Sequence, residues 1–89
     1  MQAIVPELLR EQGLLEYEND HYAAAAIHFQ SAAESGDARS AEVLALMYRF
    51  GARLYGDQVN ADAAKTAYWA AVAADRRFVA AANPTSSSR

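Results

Sequence analysis

Eighty-nine residues at 9.6 kDa hold one small domain, and a chain this short buries only about 60% of the surface its unfolded form exposes. It has no cysteine, which excludes disulfides, thiol catalysis and Cys-ligated metal clusters. Eight Lys plus Arg against eleven Asp plus Glu give a net charge of −3, which argues against nucleic acid or an anionic membrane as partner. About a quarter of the chain is Ala, so composition predicts an all-α fold with small side chains at the helix contacts, more than about 65% helix and no sheet.

Helix one is placed at about 6–18, where Pro6 suits a first turn, Glu7 suits the dipole, and Leu8, Leu9, Leu14, Leu15 and Tyr17 supply apolar mass. No basic segment followed by an apolar run precedes it, so no signal peptide is expected, and no stretch of 18 uncharged apolar residues exists. A soluble, cytoplasmic chain is the expectation. Tyr22, Ala25, Ala26, Phe29, Ala32 and Ala33 then fall at i, i+3, i+4, i+7, i+10 and i+11, the apolar stripe of helix two. Asn19 or Asp20 is expected to cap its start and Gly36 to take the left-handed position past its end, after which Asp37 caps helix three.

Helix three has one apolar face of Ala38, Ala41, Leu44, Ala45 and Tyr48 and a second of Val43, Leu46, Met47 and Phe50, and Gly51 ends it. A lengthened loop over 52–58 is expected next. Helix four opens near Asn60 to Asp62, with Ala64, Ala67, Tyr68, Ala71 and Ala74 on one side and Trp69 and Val72 beside them. Phe78 to Ala82 is read as a separate helical stub that covers helix four, and 84–89 as a disordered tail after Asn83-Pro84. Hairpin one thus spans about 6–35, hairpin two about 38–75 and the stub about 77–82, all within one domain over 1–83.

Sliding residues 25–41 onto 66–82 aligns Ala32-Ala33 with Ala73-Ala74 and Ala41 with Ala82, a period of the length used by two-helix repeat arrays. The residues Gly13, Tyr22, Ala25, Phe29 and Ala32 sit at the spacings of tetratricopeptide hairpins. Leu44 to Gly51, Val59-Asn60-Ala61-Asp62, Lys65, Trp69 and Ala73-Ala74 resemble the Sel1-like repeat, as does the junction Ala32-Ala33-Glu34-Ser35-Gly36-Asp37-Ala38. The chain departs from that pattern at Ala45, Gln58 and Thr66, and Arg77 stands where Gly36 stands in the first copy. The resemblance covers about residues 9–82 and implies a short α-solenoid of two antiparallel hairpins, a non-catalytic interaction module with no cofactor.

His21 and His28 are seven positions apart, about 10 Å along a helix, too far to share a metal ion. Ser31, Ser35 and Ser40 have no nucleophile elbow or neighbouring base. Gly51 and Gly56 precede Asp57-Gln58 rather than Lys-Ser/Thr, so the phosphate-loop pattern fails. Catalytic and metal sites are therefore not expected.

If the resemblance fixes register, the first helix of each hairpin lines a concave surface that brings Arg10, Leu14 and Tyr17 beside Arg39, Glu42, Leu46, Arg49 and Phe50, with Arg53 and Tyr55 in the following loop. Guanidinium and aromatic groups together suit an acidic protein or peptide partner. Arg49 and Arg53 share one face if helix three runs through Gly51. The competing reading is a structural subunit or secretion-type chaperone that forms a homo- or hetero-oligomer through Trp69, Val72, Phe78 and Val79. No nucleic acid and no membrane enters either reading.

Overall fold

A computed structural model describes residues 5–82 of the chain and the side chains of residues 6–75. It contains α1 (Val5–Glu18), α2 (Tyr22–Glu34), α3 (Ala38–Phe50), α4 (Ala52–Tyr55), a 3-10 turn over Gly56–Gln58 and α5 (Ala63–Ala82). No strand occurs among the described residues, so the fold is all-α. Consecutive long helices pack as neighbours, α1 on α2, α2 on α3 and α3 on α5.

The first hairpin closes because a small residue faces a large one. Phe29 is fully buried, and a Cβ on Gly13 would stand 2.8 Å from its ring, so only glycine lets α1 come this close. Ala25, Ala32 and Ala33 are also fully buried, which confirms the stripe expected for α2. The turn after α2 follows expectation as well. Gly36 has φ 109°, and the Asp37 carboxylate accepts the Ser40 N–H at 3.0 Å and the Ser40 hydroxyl at 2.6 Å.

The start of α2 does not follow expectation. Neither Asn19 nor Asp20 caps it; His21 holds the cap position without a side-chain bond, and Asp20 sits at φ 64°. The cap comes from the connection between α3 and α5. The Gln58 carboxamide oxygen accepts the Ala23 N–H at 3.2 Å while its nitrogen donates to the Asp20 carbonyl at 2.7 Å. A helix N-terminus needs acceptors for its first free N–H groups, and it takes one from whichever segment reaches it.

Residues 52–58, expected as a loop, form α4 and the 3-10 turn. Gly51 and Gly56, at φ 53° and 63°, bracket α4 and turn the chain on either side of it, and Tyr55 and Val59 enter the core at 5% and 4% exposure. Gly51 also admits the chain that returns toward α5, since a Cβ there would overlap the Ala61 backbone nitrogen. Asp62 then starts α5, its N–H donating to the Tyr48 carbonyl and its carboxylate accepting the Lys65 N–H at 2.9 Å. The core of the second hairpin is Leu44, Met47, Trp69 and Ala73.

The C-terminal stub is overturned. Helix α5 runs unbroken from Ala63 to Ala82, so residues 78–82 extend it instead of folding back as a separate turn. The segment Asp75-Arg76-Arg77 contains no Gly or Pro, and neither arginine interrupts a helix. The expected tail over 84–89 lies outside the described residues.

Candidate protein-binding surface

Arg10, Tyr17 and Tyr55, three of the ten residues expected on the concave surface and the loop that follows it, are engaged inside the molecule. The Arg10 guanidinium pairs with the Asp37 carboxylate, which also caps α3, so Arg10 locks α1 to the start of α3 instead of facing a groove. The Tyr17 and Tyr55 hydroxyls share a hydrogen bond of 2.8 Å, and both rings stack edge-on against Tyr22. Burial, followed by the bond to Tyr17, raises the Tyr55 pKa above its ordinary value. The Tyr22 pKa is raised too, first by its hydroxyl donating to the Asp20 carboxylate at 2.8 Å. These tyrosines hold α4 to the first hairpin.

Five of the others stay together on α3. The inward side of that helix is marked by Ser40, Ala41, Leu44 and Met47, all fully buried. Arg39, Glu42, Leu46, Arg49 and Phe50 follow the i, i+3, i+7, i+10, i+11 pattern on the other side. Arg39, Leu46 and Arg49 are exposed, Leu46 at 48%, while Glu42 and Phe50 are half-buried. The Arg49 guanidinium lies 5.6 Å from the centre of the Phe50 ring, which holds its position while its donors remain open to solvent. Leu14 of α1 is 41% exposed and follows Arg10 by four positions.

Arg53 is exposed but does not continue the α3 face, because Gly51 ends α3 and α4 starts anew at Ala52. It stands four positions after Arg49 on a separate short element.

The residues expected at an oligomer interface are placed differently. Trp69 is 6% exposed and packs in the core with Ala73, and Val72 is half-buried against the same cluster. A tryptophan that already closes the α3–α5 contact is not available to a second chain. The side chains of Phe78 and Val79 lie outside the described residues. Tyr68, on the same side of the helix as the alanines, is 60% exposed and sets its ring edge-on to Trp69.

Two open hollows were not foreseen. They measure about 290 and 460 Å³ and meet at Tyr48 and Asp62, one toward Ala26 and Ile27 of α2 and the other toward Ala67 and Ala70 of α5. Lys65 stands 5.1 Å from the centre of the Tyr48 ring between them. The Asp62 carboxylate in these hollows is occupied as a helix cap, and His28 bonds the Glu16 carboxylate at 2.7 Å on the α1–α2 contact. Among the described residues, no three His, Cys, Asp or Glu side chains gather as metal ligands, and no helix is long and apolar enough to cross a membrane.

No protein-family model, curated protein or solved structure matches the chain.

Proposed function

We propose that this chain is a non-catalytic interaction module that holds an acidic segment of another protein along the outer face of α3. The observation that carries this reading is the alignment of Arg39, Leu46 and Arg49 on one solvent-facing side of a single helix, with Arg53 at its end. Guanidinium groups bind carboxylates with paired N–H donors, and an exposed leucine among them favours a partner that alternates acidic and apolar residues. Arg39, Arg49 and Arg53 make no ion pair among the described residues, so their donors are open to a partner. Arg10, Tyr17 and Tyr55 act as positioning residues that fix α1 and α4 around this face.

The finer reading of the fold belongs with this proposal. Packing of each long helix on the next supports a two-unit Sel1-like or tetratricopeptide-type array. The deep contact of Phe29 with Gly13 supports it as well.

The test is fluorescence anisotropy with a panel of labelled synthetic peptides built from Glu and Leu. Binding should weaken at least about tenfold when Arg39, Arg49 and Arg53 are replaced together by Gln, and should weaken with added salt. Equal affinity in the triple variant would overturn the reading.

A second reading, a structural subunit or secretion-type chaperone that assembles through α5, has one observation in its favour. Ala64, Ala67, Ala71 and Ala74 are exposed along that helix.

A further inference from the structure

Three of the five tyrosines, Tyr17, Tyr22 and Tyr55, meet in one cluster although they come from α1, α2 and α4. Each ring stands edge-on to the other two. The centres are 5.1 Å apart for Tyr17 and Tyr22, 4.9 Å for Tyr22 and Tyr55 and 5.7 Å for Tyr17 and Tyr55. The Tyr17 and Tyr55 hydroxyls lie 2.8 Å apart, which brings the ring carbons next to those hydroxyls near one another. The other two tyrosines stand apart, Tyr48 under Lys65 and Tyr68 against Trp69.

The cluster has an inner and an outer side. Tyr55 is 5% exposed, Tyr17 and Tyr22 are half-buried, and the Tyr22 hydroxyl donates to the carboxylate of exposed Asp20 at 2.8 Å. A phenol loses an electron readily when its proton can leave at the same time, and a hydrogen-bonded carboxylate takes that proton. Tyr22 is therefore where an oxidant in solution meets the cluster. The chain has no cysteine, so a disulfide cannot fasten its elements under oxidation, and a pair of phenols in contact is a chemical alternative.

We propose that Tyr17 and Tyr55 are an oxidative modification site, joined by a carbon–carbon bond when a diffusible one-electron oxidant acts on the cluster, with Tyr22 and Asp20 as its point of entry. The oxidant takes an electron from Tyr22 while the hydroxyl proton moves to Asp20. An electron from Tyr17 or Tyr55, with the proton returned by Asp20, restores Tyr22, and the donor's own hydroxyl proton passes to solvent through the Tyr17 hydroxyl. A second equivalent of oxidant brings the other ring to the same state. The two rings, each with an unpaired electron shared onto the carbons beside its oxygen, then form one bond between those carbons. The hydrogens on the joined carbons pass to the two oxygens and restore both phenols. In sum, two equivalents of oxidant each gain one electron and two protons go to solvent.

The fold can accommodate the bond. Helix α4 has four residues between Gly51 and Gly56, both at positive φ, and this short hinged element can carry Tyr55 the remaining distance. Positions 17 and 55 are 38 apart, so the link closes a loop that contains all of α2 and α3 and restricts the unfolded chain. It uses neither Arg39, Arg49 nor Arg53, so it stands or fails independently of the peptide-binding reading.

Light-activated ruthenium tris-bipyridine with persulfate, applied to the dilute full chain, supplies the oxidant for a test. The monomer should become lighter by two hydrogens, gain the blue fluorescence of linked tyrosines and melt at a higher temperature than the untreated chain. Proteolysis should release one pair of peptides joined at Tyr17 and Tyr55. Tyr17→Phe and Tyr55→Phe should each abolish that product while keeping the helical circular-dichroism spectrum, and Tyr22→Phe and Asp20→Asn should each slow it severalfold. Tyr48→Phe with Tyr68→Phe should leave it unchanged. In urea the product should disappear, because only the fold brings positions 17 and 55 together. A link within the monomer that survives in Tyr55→Phe or in urea, or oxidation that yields only hydroxylated chains or chains joined to one another, would overturn the proposal. An undiminished rate in both Tyr22→Phe and Asp20→Asn would overturn the entry at Tyr22.

Discussion

The two hairpins solve the same packing problem in different ways. In the first, α1 and α2 are joined by a short turn at 19–21, and the contact is made by Phe29 against Gly13, with α3 covering the other side of α2. In the second, α3 and α5 are separated by α4 and a 3-10 turn, and that connection sends Tyr55 and Val59 into the core beside Leu44, Met47 and Trp69. The position 41 residues after Phe29 is Ala70, which is exposed, while the buried ring has moved to Trp69. A helix with neighbours on both sides puts its large residue where they meet. A helix at the end of a row has one neighbour, turns its ring toward that neighbour and leaves its alanines outside.

The comparison breaks most sharply at Phe29. Phe29→Ala should cost about 3–5 kcal/mol, as a fully buried aromatic truncated over a glycine that cannot fill the space. In a domain this small the result should be a largely unfolded chain by thermal melting, and a midpoint within a degree or two of the parent would contradict the shared core. Gly51→Ala attacks the second hairpin through its connection. It puts a side chain on a left-handed backbone at φ 53°, where a Cβ would overlap the Ala61 backbone. The expected loss is about 2–4 kcal/mol by denaturant titration. A neutral Gly51→Ala would show that α4 and the return to α5 are not held together at this point.

Asp37→Ala removes the α3 cap and the partner of Arg10 together, and should cost about 1–2 kcal/mol by the same titration. Arg10→Gln should recover part of that loss in the double variant, because it no longer leaves a half-buried guanidinium unpaired.

A smaller effect separates the tyrosine contact between the hairpins from the rest. The Tyr55 pKa is raised by burial in the folded state, so the fold binds its proton more tightly than the unfolded chain does. Its contribution is complete below the unfolded value of about 10 and is lost as pH rises above that, by at most about 1.4 kcal/mol per pH unit. Stability of the parent should therefore fall more steeply above pH about 10 than that of Tyr55→Phe. Parallel curves would contradict the burial of the Tyr55 hydroxyl between α4 and the first hairpin. Smallest of all, Arg39→Gln and Arg49→Gln should each change stability by less than about 0.5 kcal/mol, as exposed positions on α3.

How much of this was legible in the sequence depended on how local the cause was. The α2 stripe, Asp37 as a cap and Gly36 in the turn are set by neighbours within a few positions, and each appeared where expected. Gln58 as a cap for α2 was not legible, because its partner Ala23 is 35 positions away. Tyr55 was expected at a partner surface because its segment has no helical period long enough to reveal a buried side, although the Leu54-Tyr55 pair between two glycines was a signal that the loop carried core residues. The second apolar stripe expected on α3 does not mark its outer face, since Met47 is fully buried and Val43 and Phe50 pack on the core while Leu46 alone of the four is exposed, and the loss of Arg10 to Asp37 depended on a contact between elements. The stub at 78–82 was expected because helix four showed two apolar sides, but without a breaker after Asp75 the helix simply continues.

The central claim is that the outer side of α3 is where this chain meets its partner. It is tested most directly by amide chemical-shift mapping of the labelled chain with the Glu- and Leu-containing peptides. Shifts should concentrate between Ala38 and Arg53, extend to Leu14 on α1, and vanish in the variant lacking Arg39, Arg49 and Arg53. Shifts confined instead to the hollows around Ile27, Tyr48 and Lys65, or spread evenly over all helices, would contradict it.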